Sequence, residues 1–151
     1  MLTPKRRNIV ILILAVLALL CLLYFAPRPL KWTMYGFDQE EINEIQVSLS
    51  SRLGGDHRSF ELDPNSPAAD KLFELLNSTR YRRTLYKNRG HQVTLDYTVN
   101  LYLYHPSGTV ELIYFDGSDY PIYINSRFYK ALGGEPFQQR VLDFLLEQDP
   151  S

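Results

Sequence analysis

Cysteine is almost absent from this chain, which contains one such residue, Cys21, among 151. Because Cys21 lies within an apolar run, the more polar remainder of the chain has neither an internal disulfide nor a thiol nucleophile. The stability of a domain in that remainder must therefore come from an apolar core, and about 120 residues suffice for a single core.

Motifs of common catalytic sites are absent as well. The chain has no GxSxG nucleophile elbow, no SxxK pair, no HExxH zinc motif and no glycine-rich phosphate loop. His57, His91 and His105 all fall in predicted turns, at spacings that do not match a metal site. Asp116 and Asp119 suit a turn better than a calcium loop. We therefore predict neither a metal nor another cofactor, and catalysis is not the leading interpretation.

The dominant feature that is present is the run from Ile9 to Phe25, seventeen residues without a charge, an amide or a proline. As a helix it rises about 25 Å, slightly less than a hydrocarbon core of about 30 Å, and Asn8 and Ala26 can supply the difference. We predict a transmembrane anchor over residues 9–26. Its apolar residues include Ile9, Leu14, Leu20 and Phe25.

A cleaved signal peptide is the competing interpretation of this run. Cleavage after Ala26 would place bulky Tyr24 in the recognition site and Pro27 directly after the bond. A lipoprotein-type cut before Cys21 would require a small residue where Leu20 stands. These endings favour a retained anchor, and they leave cleavage or lipidation at Cys21 as a question for experiment.

Orientation follows from the basic residues that flank the run. Residues 1–8 form a basic tail, and the positive-inside rule places such a tail in the cytoplasm. We therefore predict a single-pass protein of the cell membrane whose C-terminal domain is extracytoplasmic. Trp32 and Tyr35 follow the far end of the anchor, where aromatic rings prefer the membrane interface. The flanking charges are Lys5, Arg6 and Arg7 before the run, and Arg28 and Lys31 after it.

The first 31 positions contain no acidic residue and five of the 16 Lys and Arg residues. The rest of the chain therefore has 11 basic and 17 acidic residues, which is a formal net charge of −6. A generally acidic domain argues against nucleic-acid binding, which depends on neutralising phosphates.

Within this acidic domain, one basic run interrupts the acidic composition. We predict contact residues for an anionic partner there, such as a protein surface, lipid headgroups or a wall polymer. The alternative is a solvated edge strand whose charges prevent pairing with other chains. The run consists of Arg80, Arg82, Arg83, Lys87 and Arg89.

Hydrophobic periodicity predicts an α+β fold after a short juxtamembrane stalk over residues 27–37. Alternating residues indicate a hairpin of two strands, a long central strand within residues 93–104 and a three-stranded meander. Helical spacing indicates one helix that begins with Ser66 as N-cap and Pro67, and a closing helix around Phe137. We predict one domain over residues 38–151, an antiparallel sheet with two helices packed on one face.

Aromatic residues are abundant in the second half of this domain. Tyr102 and Tyr104 lie on the strand face opposite Leu101 and Leu103. If only one face of the sheet is covered, the two tyrosines form an exposed strip suited to protein or glycan contact. Cross-strand packing in a sheet covered on both faces is the alternative.

A series of short segments follows the basic tail and the anchor in a familiar order. These segments are Ile42-x-x-Ile45-x-Val47, Arg80-Tyr81-Arg82-Arg83, Ile122-Tyr-Ile124 and Phe128-Tyr129. The order of these parts resembles small membrane-anchored or lipoprotein extracytoplasmic domains of unknown function from Gram-positive bacteria. The resemblance implies an envelope location and no assigned chemistry, and Leu20-Cys21 departs from the lipoprotein members.

Our leading prediction is a membrane-anchored binding or interaction domain. The alternative is a small envelope enzyme or ligand sensor with a pocket between sheet and helices, which convergence of His91 or His105 with acidic groups would favour.

Overall fold

A computed structural model describes residues 4–34, 39–85, 95–115 and 122–149 of the chain. An apolar N-terminal helix precedes a single antiparallel sheet of seven strands and two further helices, which confirms the predicted α+β class. Short 3₁₀ turns occur at Leu30–Trp32 and Gln39–Glu41. The helices are α1 (Pro4–Phe25), α2 (Pro67–Asn77) and α3 (Gly134–Gln148). The strands are β1 (Glu44–Ser51), β2 (His57–Leu62), β3 (Tyr81–Arg83), β4 (Tyr97–Tyr104), β5 (Val110–Phe115), β6 (Ile122–Ile124) and β7 (Arg127–Ala131).

The strands lie in the order β2-β1-β4-β5-β6-β7-β3. The predicted hairpin is β1 and β2, and the predicted meander is β4, β5 and β6. After β2 the chain passes through α2 to β3 at the opposite edge, and then returns to β4 in the centre. Arg82 and Arg83 of the basic run therefore lie on an edge strand, at the opposite edge of the sheet from the β1–β2 hairpin.

One face of the sheet is buried beneath α2 and α3. Alternate residues of the strands are buried, and the strand register places them side by side on the same face. One such row crosses three strands and consists of Val47, Leu101 and Ile113. Their buried partners on the helices belong to the same apolar cluster. The buried residues of α2 and α3 share this cluster with the buried residues of the strands. The helix residues of this cluster are Ala69, Leu72, Phe73 and Leu76 of α2, and Phe137, Val141, Leu142 and Leu145 of α3.

Helix α2 begins as its sequence predicts. The Ser66 hydroxyl accepts a hydrogen bond from the Ala69 backbone N–H at 3.2 Å, and Pro67 occupies the first helical position, where no amide hydrogen is needed. The helix ends at Asn77, within the predicted range.

Strand β7 was not predicted, because its connection to β6 lacks the glycine that marks most tight hairpins. The turn consists of Asn125 and Ser126, whose φ angles are 45° and 66°. Asparagine tolerates this left-handed region better than most residues, so a two-residue turn forms and pairs Ile124 with Arg127. The extra strand joins β3 to the meander, because β7 pairs with β6 on one side and with β3 on the other.

Helix α1 exposes its apolar residues over its whole length. Ile9, Leu14 and Leu20 are each half exposed or more, and none of the apolar stretch from Arg6 to Phe25 is buried inside the protein. Its mean hydropathy is 2.9, and it is long and apolar enough to cross a membrane or to serve as a signal sequence.

The segment after α1 differs from the extended stalk predicted over residues 27–37. Leu30 and Met34 are 0 % and 3 % exposed and belong to the core of the domain. The buried Thr33 carbonyl also accepts a hydrogen bond from the Tyr129 hydroxyl at 3.4 Å. The core therefore begins eight residues before the predicted domain boundary at residue 38, because two apolar side chains separated by one 3₁₀ turn reach the interior together.

Tyr81 joins several of these parts. Its ring is fully buried and lies edge-on to Phe137 of α3, with centroids 6.2 Å apart. Its hydroxyl donates to the Leu76 carbonyl, near the end of α2, at 2.7 Å. Burial raises the pKa of this hydroxyl, so it remains protonated and donates at all physiological pH values.

We expect Tyr81→Phe to lower the free energy of unfolding by about 1 kcal/mol, because a buried carbonyl loses its donor while the ring packing remains. Urea unfolding of the full chain in detergent micelles measures this change. Tyr102→Phe is the matched control, since among the described residues its hydroxyl has no hydrogen-bond partner. Equal stability of Tyr81→Phe and the wild type would contradict the assigned hydrogen bond.

Candidate functional site at the end of the apolar helix

The basic residues of β3 point to two sides of the sheet edge. Successive side chains alternate along a strand, so Arg80 and Arg82 lie on the uncovered face, whereas Tyr81 and Arg83 lie on the helix-covered face. Arg80 and Arg82 are exposed, and Arg83 is partly buried. The strand thus spreads its charges around the edge instead of presenting one row.

The chain that leaves α1 pairs with this edge through Arg28. The Arg28 N–H donates to the Tyr81 carbonyl at 2.9 Å, and the Tyr81 N–H donates to the Arg28 carbonyl at 2.8 Å. The Arg28 guanidinium also donates to the Leu23 carbonyl in the last turn of α1, at 2.6 Å. A cation at a helix C-terminus satisfies a free carbonyl and complements the helix dipole. Arg28 therefore links the apolar helix to the sheet.

Two neighbouring arginines lie on either side of the end of α1. The Arg83 guanidinium stacks over the Tyr24 ring, 4.3 Å from its centroid, in a cation–π contact. Arg82 points to the other side and lines an open groove together with residues of α1. Since the two side chains diverge from one strand, the last turns of α1 lie between them.

We call Arg28, Lys31, Arg80, Arg82 and Arg83 the exit cluster, because they surround the point where the chain leaves α1. Within the described ranges, no carboxylate forms a recorded ion pair with any of them. Basic residues elsewhere differ: Arg58 contacts Asp56 at 3.0 Å and Asp149 at 3.1 Å. Among the described residues, the exit cluster therefore presents positive charge without a carboxylate partner on a domain with a net negative charge, and guanidinium forks suit phosphate and carboxylate ligands.

The groove beside Arg82 has a volume of about 760 Å³ and a mostly apolar lining. It runs along the C-terminal third of α1 and ends at Ala26 and Pro27, which follow the helix, and at Arg82 of β3. Its lining residues are Ala18, Cys21, Leu22, Phe25, Ala26, Pro27 and Arg82.

Only part of the predicted basic run can be placed. Arg80, Arg82 and Arg83 belong to the exit cluster, whereas Lys87 and Arg89 lie outside the described residues, as do Tyr35, His91, Asp116 and Asp119. The sequence predicts Arg28 and Lys31 only as charges that flank the anchor. Arg28 pairs with Tyr81, about 50 positions further along the chain, and no local sequence pattern predicts a pairing over that distance.

Tyr102 and Tyr104 do not join the exit cluster. Four strand intervals separate β4 from β3, a distance of at least about 19 Å. Both tyrosines lie on the uncovered face and are partly exposed, and the Tyr104 hydroxyl donates to Gln46 at 3.1 Å. The face is thus open, as one of the two predictions requires, but cross-strand neighbours cover part of each ring.

A buried polar group lies at the turn between β4 and β5. The side chains of His105 and Glu111 are 9 % and 3 % exposed, and His105 Nε2 lies 3.7 Å from Glu111 Oε2. Both of these atoms lack a hydrogen bond, while the Asn125 amide donates to the other carboxylate oxygen at 3.4 Å. Glu111 shares the strand parity of Ile113 and Phe115, which is the sequence signal for its burial.

Burial raises the pKa of the Glu111 carboxyl above its ordinary value of 4.5, and His105 and Asn125 offset only part of the rise. The folded protein therefore holds the Glu111 proton more tightly than the unfolded chain. The stability that this proton provides is present below the ordinary pKa and is lost as pH rises through the folded pKa.

We expect Glu111→Gln, which keeps the shape and removes the titration, to gain stability relative to the wild type as pH rises from about 4.5 toward neutrality. Urea unfolding of both proteins across this range measures the difference. Glu61→Gln, which removes an exposed charge on β2, serves as the control. Parallel curves for wild type and Glu111→Gln would refute the effect of burial on Glu111.

Comparison with protein-family models, with curated proteins and with solved structures finds no match to this chain.

Proposed function

We propose that this protein is a single-pass membrane protein of the bacterial envelope whose outward-facing domain binds an anionic partner at the membrane surface. In this proposal α1 is a retained signal anchor, residues 1–8 are cytoplasmic and the exit cluster is the contact surface. One observation carries the proposal. Arg28 and Arg83 contact the last turns of α1, at the end opposite the basic tail, and the neighbouring Arg82 lines a groove along the same helix.

The contacts of α1 support its retention. Cleavage after Ala26 would remove the Leu23 carbonyl that Arg28 binds and the Tyr24 ring that Arg83 covers. Both arginines would then lose partners that the folded chain provides. The exposed apolar surface of α1 also requires an apolar environment, which a bilayer supplies.

The orientation depends on charges that are close in sequence to the anchor. Three basic residues precede the apolar run and two follow it within six positions, a modest excess that favours an inside N-terminus. Arg80, Arg82 and Arg83 reach the helix end only after the domain has folded. These three charges therefore do not oppose insertion of the anchor with its N-terminus in the cytoplasm.

The charge of the exit cluster determines the class of partner. Its guanidinium groups lie beside an apolar helix end, where low polarity strengthens ionic hydrogen bonds. Protein carboxylates, lipid phosphates and anionic wall polymers share the required chemistry. The Tyr102 and Tyr104 strip is a separate proposed contact for protein or glycan, since it is too distant to bind the same small ligand.

A small envelope enzyme or ligand sensor is the second candidate, and the convergence of His105 with Glu111 favours it. A histidine beside a carboxylate with a raised pKa is a common acid–base arrangement. Its burial argues the other way, because a substrate cannot reach a carboxylate whose side chain is 3 % exposed without displacing the core. Binding therefore remains the leading proposal.

We expect Arg82→Glu/Arg83→Glu to lose the partners that the wild-type chain captures when it is crosslinked in intact membranes, because two attractive charges become repulsive. Lys71→Glu/Arg140→Glu is the matched control, with the same change in net charge on exposed positions of α2 and α3. Intact mass first verifies that each purified chain retains residues 1–26. Recovery of the same partners by both double variants would refute the role of the exit cluster, and a mature chain that begins at residue 21 or 27 would refute the anchor.

A further inference from the structure

We infer that the groove between α1 and β3 is a binding site for one anionic phospholipid of the outer leaflet. In this site an acyl chain lies along α1 and the headgroup phosphate binds Arg82. The inference rests on the proposed membrane anchor and names a specific ligand for one part of the exit cluster.

The shape of the groove follows from small side chains on one side of α1. Ala18, Leu22 and Phe25 are spaced by three or four residues and share a helix face, Cys21 lies beside them, and Ala26 directly follows the helix. The small side chains of Ala18 and Ala26 leave space next to the helix, and Arg82 of β3 lines one end of that space. The volume of about 760 Å³ lies within the usual range of ligand pockets, roughly 300–1,000 Å³.

The length and depth of the groove match one leaflet. Ala18 and Phe25, the last residue of the helix, are seven positions apart, which corresponds to about 10 Å along the helix axis. Half of a hydrocarbon core of about 30 Å is roughly 15 Å. If the outer end of α1 marks the membrane surface, the groove spans most of the outer leaflet and Arg82 lies at headgroup depth.

Arg82 is suited to a phosphate. Its side chain is exposed, and no carboxylate among the described residues pairs with it. A guanidinium donates two parallel hydrogen bonds to phosphate oxygens, with a strength that rises near an apolar medium. Arg28 and Arg83 contact the same helix end and add positive charge nearby. An anionic headgroup therefore has a charged contact, and its acyl chain has an apolar one.

The combination selects a lipid over the other anionic partners. A free phosphate or a wall polymer would bind the guanidinium but would leave the apolar lining in contact with water. A zwitterionic lipid would fill the groove but would bring its own cation to a positive cluster. Only an anionic phospholipid matches both parts of the site.

The test uses the full chain in nanodiscs that contain equal amounts of phosphatidylglycerol and phosphatidylcholine. Native mass spectrometry of the released protein measures the ratio of the two lipids that stay bound. We expect the wild type to retain phosphatidylglycerol selectively. Arg82→Gln should lower that selectivity about tenfold, the size of effect expected for the loss of one charge-assisted contact. Ala18→Phe, which fills the groove from an exposed position, should lower total lipid retention by a similar factor.

Arg80→Gln is the matched control, because Arg80 is exposed, directly precedes β3 and does not line the groove. Equal losses in Arg80→Gln and Arg82→Gln would show diffuse attraction and refute the site. Unchanged retention in Ala18→Phe would refute the acyl contact. Displacement by glycerol 3-phosphate as effective as displacement by short-chain phosphatidylglycerol would also refute it, because the acyl chain would then contribute nothing. None of these results decides the crosslinking experiment on the exit cluster. The lipid site and the proposed contact surface can therefore be refuted separately.

Discussion

The backbone pairing of Arg28 with Tyr81 is the constraint on which the rest of this structure depends. The backbone N–H and carbonyl of Tyr81 both form hydrogen bonds with the backbone of Arg28. The segment that follows α1 therefore covers part of a sheet edge that would otherwise be open. The Tyr81 side chain is held at the same time by Leu76 and Phe137. Because one residue is fixed on both its backbone and its ring, the end of α1 is held at a definite place on the sheet.

This pairing also changes the meaning of the basic run. Charged residues on an edge strand commonly prevent pairing with another chain. Here the chain itself occupies the edge at Tyr81, so that protection does not depend on charge at this position. The surrounding arginines instead contact the helix end or line a groove beside it. Their placement supports a role at the membrane surface over a role in solubility alone.

Local patterns in the sequence predict most of the fold. Strict alternation identifies β1 and β4, and the Ser66-Pro67 pair identifies the start of α2, because each signal acts over a few residues. The signal for β7 is weak, since Asn125 and Ser126 form its turn without glycine. The pairing of Arg28 depends on Tyr81, about 50 positions away, and the burial of Leu30 depends on the core of the folded domain, neither of which a local periodicity encodes. The candidate site is made by that long-range pairing, so the sequence predicts its arginines on β3 but not its location at the helix end.

In the proposed arrangement, the segment after α1 is folded and holds the sheet edge at the membrane surface. Trp32 lies in this segment, is 67 % exposed and is the only tryptophan in the chain. Its fluorescence in vesicles of brominated phospholipids is therefore the most direct measurement. If this segment lies at the membrane surface, bromines near the headgroup quench the fluorescence strongly and bromines near the end of the acyl chain quench it less. Fluorescence that neither lipid quenches would show that the domain stands away from the bilayer, and the proposed arrangement would then be wrong.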